Sequence, residues 1–226
     1  MKTIFNFGDM HKDFKPVAKN ILGNYKIYQI PITNNLVFYN DHVQIVDACY
    51  GPSTVLDSLS MLKIMGRLKK NDKIVFVGSM GSLTNKIDLD NIVIPTEICC
   101  NYFGYDGKIL NPSKNLLEKL IAVLNKRKIK FKTYRHGSSI AVFDSHTDHK
   151  AYTSSLYDKS VVGLDCSEAF IGTHFCKENK MERVILFYCS DDPTKHIADL
   201  PKEEFDKRAL KFDNMLNSIA YDVLTK

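Results

Sequence analysis

The chain is predicted to fold as an α/β protein in which helices flank a central mixed β-sheet, because short apolar runs alternate with amphipathic segments over most of its length. The uninterrupted apolar runs at residues 74–77 and 184–188 are typical of strands that are buried on both faces. Residues 202–224 place their apolar side chains on one stripe of a long helix. With 226 residues and no linker-like stretch, the chain is expected to form one domain over residues 1–226.

The composition restricts the class of protein. The hydrophobic share of 44% and the charged share of 25% are those of a soluble globular protein, and no apolar run approaches the ~18 residues that span a bilayer. The six cysteines show no Cys-x-x-Cys spacing, and the N-terminus lacks a signal-peptide core. These observations predict a cytoplasmic protein with reduced thiols, no metal, no cofactor and no membrane contact.

The net charge of +5 is spread along the chain, with its densest stretch at residues 125–132. Such a stretch could attract nucleic acid. Its lysines alternate with apolar residues, however, as they do on an edge strand that avoids pairing with another chain. The sequence therefore favours an edge strand here and predicts no nucleic-acid partner.

The N-terminal third is predicted to begin with a strand at residues 3–7 and a helix that ends near Lys19. A helix with apolar residues at helical spacing is predicted to begin at about Ser53. Between these helices, segments that alternate or run apolar are separated by Asn and Asp turns, which predicts a meander of strands at residues 25–32, 36–39 and 43–49.

The strand at residues 74–77 leads into Gly78-Ser79-Met80-Gly81-Ser82, which predicts a glycine turn at the carboxyl end of a buried strand. Glycines let a ligand approach the backbone closely, serine hydroxyls are donors, and open α/β sheets bind ligands at this end of their strands. An ordinary strand-to-helix loop would have a similar sequence. Gly78 and Ser79 are therefore candidate ligand contacts.

The rest of the chain is predicted to continue the alternation of strands and helices. A strand at residues 90–95 is expected to stop at Pro95, since proline cannot donate to the ladder. The other predicted elements are helices at residues 116–125, 168–178 and 202–224, and strands at residues 129–134, 139–143, 161–164 and 184–188.

Polar residues follow three of these strands, at residues 78–79, 165–168 and 190–192. If the sheet brings the three strand ends to one side, hydroxyls and carboxylates would line a pocket there. An aspartate at residue 191 or 192 could then act as a general acid. Taken by itself, an aspartate pair before Pro193 is more typical of an Asx turn.

The order of these motifs resembles that of the superfamily of purine nucleoside phosphorylases, uridine phosphorylases and nucleosidases, over nearly the whole chain. The resemblance implies a nucleoside phosphorylase-like fold and an enzyme that cleaves the N-glycosidic bond of a nucleoside. It rests on five segments, which are Gly51-Pro-Ser-Thr54, Val77-Gly-Ser-Met-Gly-Ser-Leu83, Leu89-Asp-Asn-Ile-Val-Ile-Pro95, Gly163-Leu-Asp-Cys-Ser-Glu-Ala169 and Ser190-Asp191.

The resemblance also implies roles for individual residues. Asp191 matches the general acid that protonates N7 of a departing purine, so a purine nucleoside is the implied substrate. Ser79 matches the residue beside the nucleophile. The residues implied in contacts with the sugar or the base are Tyr50, Gly78, His146, Thr147, Cys166, Ser167, Glu168 and Ser190.

Departures from the superfamily pattern favour hydrolysis over phosphorolysis. The phosphorylases carry an arginine two residues before the Gly-Ser pair, where this chain has Phe76, and their Gly-Asp-Pro-x-Arg motif reads Gly8-Asp-Met-His-Lys12 here. Without arginines, a phosphate dianion lacks its bidentate partners. Met10 and Asp13 have the spacing of the hydrolases, which implies that Asp13 orients a water. Phosphorolysis stays open because the basic residues of the same segment could bind phosphate.

A second departure concerns the sugar. Superfamily members grip its hydroxyls with a Met-Glu pair, where this chain has Cys166-Ser167 followed by Glu168. Either Glu168 supplies the carboxylate after a one-residue shift, or the contact is altered, in which case a protein that binds a nucleoside without turnover becomes the alternative. A third possibility, nucleotide cleavage, is suggested by Lys195, His196 and Lys202.

The resemblance further implies an assembly. Superfamily members form dimers or trimers of dimers, in which an aromatic residue of a neighbouring subunit closes the pocket. A homo-oligomer, either a dimer or a hexamer, is therefore expected, with Phe103 or Tyr105 as the residue that a neighbour would contribute. The implied small-molecule partners are a nucleoside and, for phosphorolysis, phosphate.

Overall fold

The computed structural model describes residues 1–7, 14–49, 51–84, 86–100, 108–138, 161–165, 167–191 and 199–226. Within these residues, no helix is both long and apolar enough to cross a membrane. The elements are β1 (Lys2–Phe7), α1 (Lys15–Leu22), β2 (Lys26–Gln29), β3 (Leu36–Tyr39), β4 (Val43–Cys49), α2 (Pro52–Ile64), β5 (Lys73–Ser82), β6 (Ile92–Cys100), β7 (Lys108–Leu110), α3 (Lys114–Lys126), β8 (Phe131–Ser138), β9 (Val161–Asp165), α4 (Glu168–Glu178), β10 (Glu182–Asp191) and α5 (Lys202–Thr225).

The ten described strands form one mixed sheet with β5 at its centre, because β5 pairs with β1 and β10 in parallel and with β9 antiparallel. From β1 the sheet continues through β4 and β3 to β2. From β10 it continues through β6 and β8 to β9, which returns to β5. Five strands, β5, β10, β6, β8 and β9, therefore close into what we call the strand ring.

Helices cover both faces of the sheet, which confirms the predicted fold class. One apolar cluster contains residues of α2 and α4, and a second contains residues of α1, α3 and α5. Residues Ile74, Val75, Phe76 and Val77 of β5 are all fully buried. Phe76 packs in the first cluster while Val75 and Val77 pack in the second, as expected for a strand whose side chains alternate between two covered faces.

The predicted glycine turn after residue 77 is wrong, since β5 continues as a strand through Ser82. Its last residues, Gly81 and Ser82, pair with β9. A Cβ atom added to Gly78 would lie 2.8 Å from the carbonyl oxygen of Phe7. The glycine at this position therefore allows the end of β1 to approach closely, and it does not form a turn.

The strand predicted to stop at Pro95 also continues, as β6, to Cys100. Its register with β8 shifts between Pro95 and Glu97, so a bulge or similar irregularity lies next to the proline. A bulge is one of the places where a strand tolerates a proline, because a ladder hydrogen bond is already missing there. The local sequence could not show this, since the bulge depends on a partner strand.

The lysine-rich stretch begins in the last two residues of α3, continues through the following loop and ends at the start of β8. Lys128, Lys130 and Lys132 are exposed, while Ile129 and Phe131 are half-buried. The first residues of β8 pair with β6, and pairing with β9 begins only at residue 135. Only residues 131–132 of the stretch lie in β8, and β8 lies between β6 and β9 in the sheet, so the predicted edge strand is wrong.

The interior of the strand ring is tightly filled. Tyr134 and His136 of β8 are buried there, and the Tyr134 hydroxyl lies 2.8 Å from His136 Nδ1. A Cβ atom added to Gly163 of β9 would overlap the Tyr134 ring and lie 2.5 Å from the sulfur of Met80. The ring is therefore a packed core without space for an additional side chain at this position.

Candidate functional site

The candidate site lies at one edge of the sheet, where the carboxyl ends of β1, β4, β5 and β10 come together because these strands are parallel neighbours. β9 is antiparallel to β5 and pairs Leu164 with Gly81, which brings the residues after β9 to the same edge. The polar residues 78–79 of β5 and 190–191 of β10, together with residues 167–168 after β9, therefore meet at this edge. Ligands of open α/β sheets bind at such an edge.

A β-bulge ends β10. Cys189 pairs with Met80, but the next residue of β5, Gly81, pairs with Asp191, so Ser190 is an extra residue in the strand. A bulge bends its strand and re-aims the side chains around it. Asp191 consequently forms the last position of the strand, opposite a glycine that has no side chain.

The bulge is anchored to the turn before β6. The Cys189 N–H donates to the carbonyl of Asn91, and the Asp90 N–H donates to the carbonyl of Cys189, both at 2.9 Å. Arg208 of α5 binds the Asp90 carboxylate with an Nη2–Oδ1 distance of 2.6 Å. The end of β10 is thus fixed from two directions, by β5 and by this turn.

The Ser190 side chain is directed at protein atoms. It is 3% exposed, and its Oγ lies 2.5 Å from Asp191 Oδ2 and 3.2 Å from the carbonyl oxygen of Met80. Asp191 itself is half-buried. The Ser190 hydroxyl thus lies against the neighbouring carboxylate, and the contact with substrate that the resemblance implies for Ser190 stays a prediction.

Ser79 lies on the strand next to Asp191. It pairs in register with Tyr188 and is half-buried, two positions before the glycine that faces Asp191. Two positions along a strand correspond to about 7 Å. The two residues to which the resemblance gives roles at the reacting centre therefore lie on adjacent strands at the same edge.

Glu168 links two helix starts at this edge. Its side chain is 4% exposed, and Oε1 accepts the N–H of Gly51 at 2.9 Å. Gly51 precedes α2 with a φ of 81°, a conformation that glycine adopts readily. Ser167, buried at the start of α4, has a φ of 80°, which is uncommon for a serine and typical of functional sites.

Several predicted site residues fall outside the described ranges, so that their placement stays a prediction. Within the described ranges, no group of three or more His, Cys, Asp or Glu side chains is arranged to hold a metal ion. The residues outside are Asp13, Tyr50, Phe103, Tyr105, His146, Thr147 and Cys166.

Asn6 is a buried residue near the site that the sequence analysis does not single out. Its Nδ2 donates to the carbonyl of Val46 at 2.7 Å, and its Oδ1 accepts from Asn217 of α5 at 2.9 Å. These contacts tie α5 and β4 to the end of β1, just before the segment that carries Asp13. A single amide among the apolar residues Ile4, Phe5 and Phe7 is the signal that could have identified it.

The arginines of the chain are engaged in other contacts. Phe76, which stands where the phosphorylases carry an arginine, is fully buried and stacks on Phe7 with ring centroids 4.8 Å apart. All five arginines lie in the described residues: Arg67 lies over the rings of Tyr28 and Tyr39, Arg127 binds Asp222, Arg135 binds Glu97, Arg183 donates to the Asn111 carbonyl and Arg208 binds Asp90.

The sequence is similar to that of a known nucleosidase. The chain is 27% identical over 194 residues to a 5'-methylthioadenosine/S-adenosylhomocysteine nucleosidase of Buchnera aphidicola, and the match covers 80% of this chain and 75% of the relative. No protein-family model matches the chain.

Solved structures of nucleosidases share the fold. The 5'-methylthioadenosine/S-adenosylhomocysteine nucleosidase of Campylobacter jejuni matches with a TM-score of 0.76 and 12% identity, over 99% of this chain and 98% of that one. A futalosine hydrolase mutant of Helicobacter pylori matches with a TM-score of 0.72 and 15% identity, over 99% and 98%. The chain therefore has the fold of these nucleosidases, and the resemblance to the nucleoside phosphorylase and nucleosidase superfamily is confirmed.

Proposed function

We propose that the protein is a nucleosidase, an enzyme that hydrolyses the N-glycosidic bond of a purine nucleoside. The observation that carries this proposal is the bulge in β10, which sets Asp191 at the ligand-binding edge of a nucleosidase fold, one strand from Ser79. The sequence similarity to a nucleosidase supports the same activity.

In the proposed reaction Asp191 is the general acid. The bond between C1' and N9 breaks, its electron pair leaves with the purine, and N7 takes the proton from the Asp191 carboxyl group. The sugar then has oxocarbenium character, and a water oriented by Asp13 attacks C1' and gives its proton to the Asp13 carboxylate. General acid catalysis of this kind contributes about a hundredfold to ten-thousandfold in rate.

We propose that Glu168 supplies the carboxylate that grips the sugar hydroxyls, as the first of the two alternatives from the sequence requires. Its carboxylate lies at the site edge between β9 and β4, and its Gly51 contact fixes one oxygen in place. The left-handed backbone at Ser167 is the kind of local change that absorbs a one-residue shift. Such positioning supplies a large part of catalysis in reactions of this kind.

Hydrolysis is favoured over phosphorolysis in this proposal. Phe76 fills the β5 position of the phosphorylase arginine with a buried ring, and the five arginines are all engaged in other contacts. Arginine is the side chain best suited to hold a phosphate dianion through two parallel hydrogen bonds. A phosphorylase would therefore have to rely on the lysine and histidine of the segment after β1.

The relatives suggest which nucleosides to test. Their names give 5'-methylthioadenosine and S-adenosylhomocysteine as first candidates, and futalosine as a second. The test is incubation of the protein with each compound, with and without phosphate, followed by separation of free base and sugar product. Base release without phosphate is the expected result.

Two other results would change the conclusion. Base release only in the presence of phosphate would overturn hydrolysis in favour of phosphorolysis. Tight nucleoside binding with no release, unchanged by Asp191→Asn, would select the alternative of a binding protein on the same fold.

We further propose that the nucleosidase is a cytoplasmic homo-oligomer that forms through α2. This helix is apolar on both sides, since Val55 and Leu59 are fully buried while Leu56 and Ile64 are 43% and 76% exposed. Cys176, a buried free thiol, is typical of a reducing compartment. Light scattering should give at least a dimer mass that Ile64→Glu lowers, and a monomeric wild type would contradict the proposal.

A further inference from the structure

An open groove lies beside the middle of α5, where this helix passes the end of α3 and the first residues of β6 and β8. Its volume is about 940 Å³, which is in the range of pockets that hold small molecules. None of the described residues that line the groove belongs to β1, β4, β5 or β10. The groove is therefore a different place from the candidate site at the ends of those strands.

The rim of the groove carries an excess of positive charge. Both of its carboxylates already have a cationic partner, since Asp88 lies 3.7 Å from Lys132 Nζ and Asp90 is bound by Arg208. Among the described residues, no acidic side chain pairs with the other three lysines of the rim. The four exposed lysines that line the groove are Lys128, Lys130, Lys132 and Lys211.

These lysines include most of the basic stretch at residues 125–132, whose charge does not protect a sheet edge, because β8 lies inside the sheet. Charged side chains that discourage pairing are needed only on an edge strand. A cluster of lysines around a concave surface instead attracts anions to it. The groove is therefore a candidate binding site for an anionic ligand.

The floor of the groove is apolar. Lys211 is held above this floor, with its Nζ 5.0 Å from the centroid of the Phe212 ring. The Phe131 ring is only half-buried, so it leaves an aromatic surface between the lysines. Bases of nucleotides stack on such rings, and lysines bind their phosphate groups. The residues of the floor are Ile92, Ile129, Phe131, Phe212 and Met215.

We propose that this groove binds a free nucleotide, with its base on the apolar floor and its phosphate groups on the lysines of the rim. The inference goes beyond the proposed nucleosidase function and does not depend on it. A free nucleotide is favoured over a nucleic-acid strand because the four lysines surround one groove of small-molecule size, whereas a strand needs a basic path that follows several phosphates.

The test measures binding of ATP to the purified protein by isothermal titration calorimetry at low salt. Wild-type protein should bind ATP, and the affinity should fall as the salt concentration rises, because the lysines are exposed to solvent. Lys128→Glu should weaken binding by about tenfold or more, since it removes a contact to a charged group and adds repulsion. Excess adenine, which would occupy a purine site at the strand ends, should not displace ATP.

Lys180→Glu is the matched control. Lys180 follows α4 as Lys128 follows α3, with φ values of 55° and 56°. The backbone N–H of each lysine donates to the carbonyl three residues earlier, at 3.1 Å and 3.0 Å. Both side chains are exposed, but Lys180 does not line the groove. The control variant should therefore keep the wild-type affinity for ATP.

Thermal unfolding of each variant checks that it is folded, and Lys130→Glu replaces Lys128→Glu if the latter does not fold. A folded groove variant with the wild-type affinity would overturn the proposal, as would an equal loss in Lys180→Glu. Displacement of ATP by adenine would also overturn it, because ATP would then occupy the strand-end site.

Two further ligands test the chemistry of the bound molecule. Inorganic triphosphate that binds as tightly as ATP would overturn the placement of a base on the floor. A single-stranded oligonucleotide that binds more tightly than ATP would overturn the free nucleotide in favour of a nucleic-acid partner. None of these measurements uses base release, so the groove can fail or hold independently of the nucleosidase activity.

Discussion

The two ends of the parallel pair β5 and β10 use polar residues in different ways. At the amino end, Lys73 and Glu182 face each other in register, with Nζ 3.8 Å from Oε1 and both side chains about one-third exposed. At the carboxyl end, Ser190 is buried and its hydroxyl is 2.5 Å from the half-buried carboxylate of Asp191. One end carries long, partly exposed charged side chains, and the other carries short, more buried polar groups.

This difference indicates where chemistry can take place. An ion pair between exposed side chains is screened by water and contributes little to stability or to a directed field. A donor held in a buried position acts in a low-dielectric surrounding and needs no reorganisation when charge develops beside it. The carboxyl end is therefore recognised as the site by the burial and direction of its polar groups, although the amino end also has an acidic residue.

The largest expected effect comes from exchanging one acidic group at each end. Asp191→Asn should lower base release by about a thousandfold, because an amide N–H is far too weak an acid to protonate the purine. Glu182→Gln makes the same chemical change at the other end of the same strand and should leave base release unaltered. Initial rates of base release, measured by chromatography of the free base, are compared for the two variants and the wild type. An active Asp191→Asn enzyme would remove the general acid from the mechanism.

Gly78→Ala should destabilise the protein at the carboxyl end. The new methyl group would lie 2.8 Å from the Phe7 carbonyl oxygen, a backbone atom that cannot move away without shifting β1. We expect the free energy of unfolding to fall by about 1–3 kcal/mol, the usual cost of overpacking. Urea denaturation measures it, and Ser79→Ala, which adds no atoms, is the control. An unchanged midpoint for Gly78→Ala would show that the two strands are not packed this closely.

A third polar region, between α3 and α5, should show the pH dependence of a structural ion pair. Burial alone would raise the pKa of Asp222, but hydrogen bonds from Lys226 and Arg127 outweigh it and hold the pKa below its usual range. A lowered pKa in the folded state adds stability above the pKa of the unfolded chain, and this stability is lost as the pH falls through the folded value.

The variant Arg127→Met tests whether the ion pair adds stability at neutral pH that is lost on acidification. The guanidinium also donates to the Ser218 carbonyl and hydroxyl at 3.0 Å, so the variant should lose about 1–2 kcal/mol at pH 7. The difference from wild type should become smaller below about pH 4, as Asp222 is protonated in the unfolded chain and then in the folded one. Denaturation at pH 7 and pH 3 measures it, and a gap that grows on acidification would contradict the assignment.

The smallest effect is expected at the amino end of the compared strands. Lys73→Ala should change the free energy of unfolding by less than about 1 kcal/mol, because the Lys73–Glu182 pair is partly exposed. The change should disappear in 0.5 M salt, where the Debye length is only a few ångströms. A larger loss of stability that does not depend on salt would mean that the ion pair at the amino end is as shielded from water as the polar groups at the carboxyl end.

Much of the fold could be predicted from local sequence patterns. The helix at residues 168–178 and the strand at residues 36–39 match the structure at both ends, because apolar periodicity and turn residues define such elements locally. The strands that contain Gly78 and Pro95 were predicted too short. In both cases the deciding partner, β1 or β8, lies far away in sequence.

The site could be predicted only in part. The sequence places polar residues after the strands that meet at the edge, and the resemblance directs attention to Asp191. The bulge at Ser190 depends on the register between β10 and β5, which no local pattern shows. The link from Glu168 to Gly51 joins residues that are 117 positions apart, so it too depends on the folded chain.

The filled interior of the strand ring limits how this scaffold could acquire a new substrate. A methyl group at Gly163 already has no room against Met80, so this position of the ring does not accept a larger side chain. Selection for a different base or a different 5'-group is therefore expected to act first on the stretches of chain that leave the strands. A library for altered specificity should therefore diversify the segments after β1, β6, β8 and β10 and keep every ring residue constant.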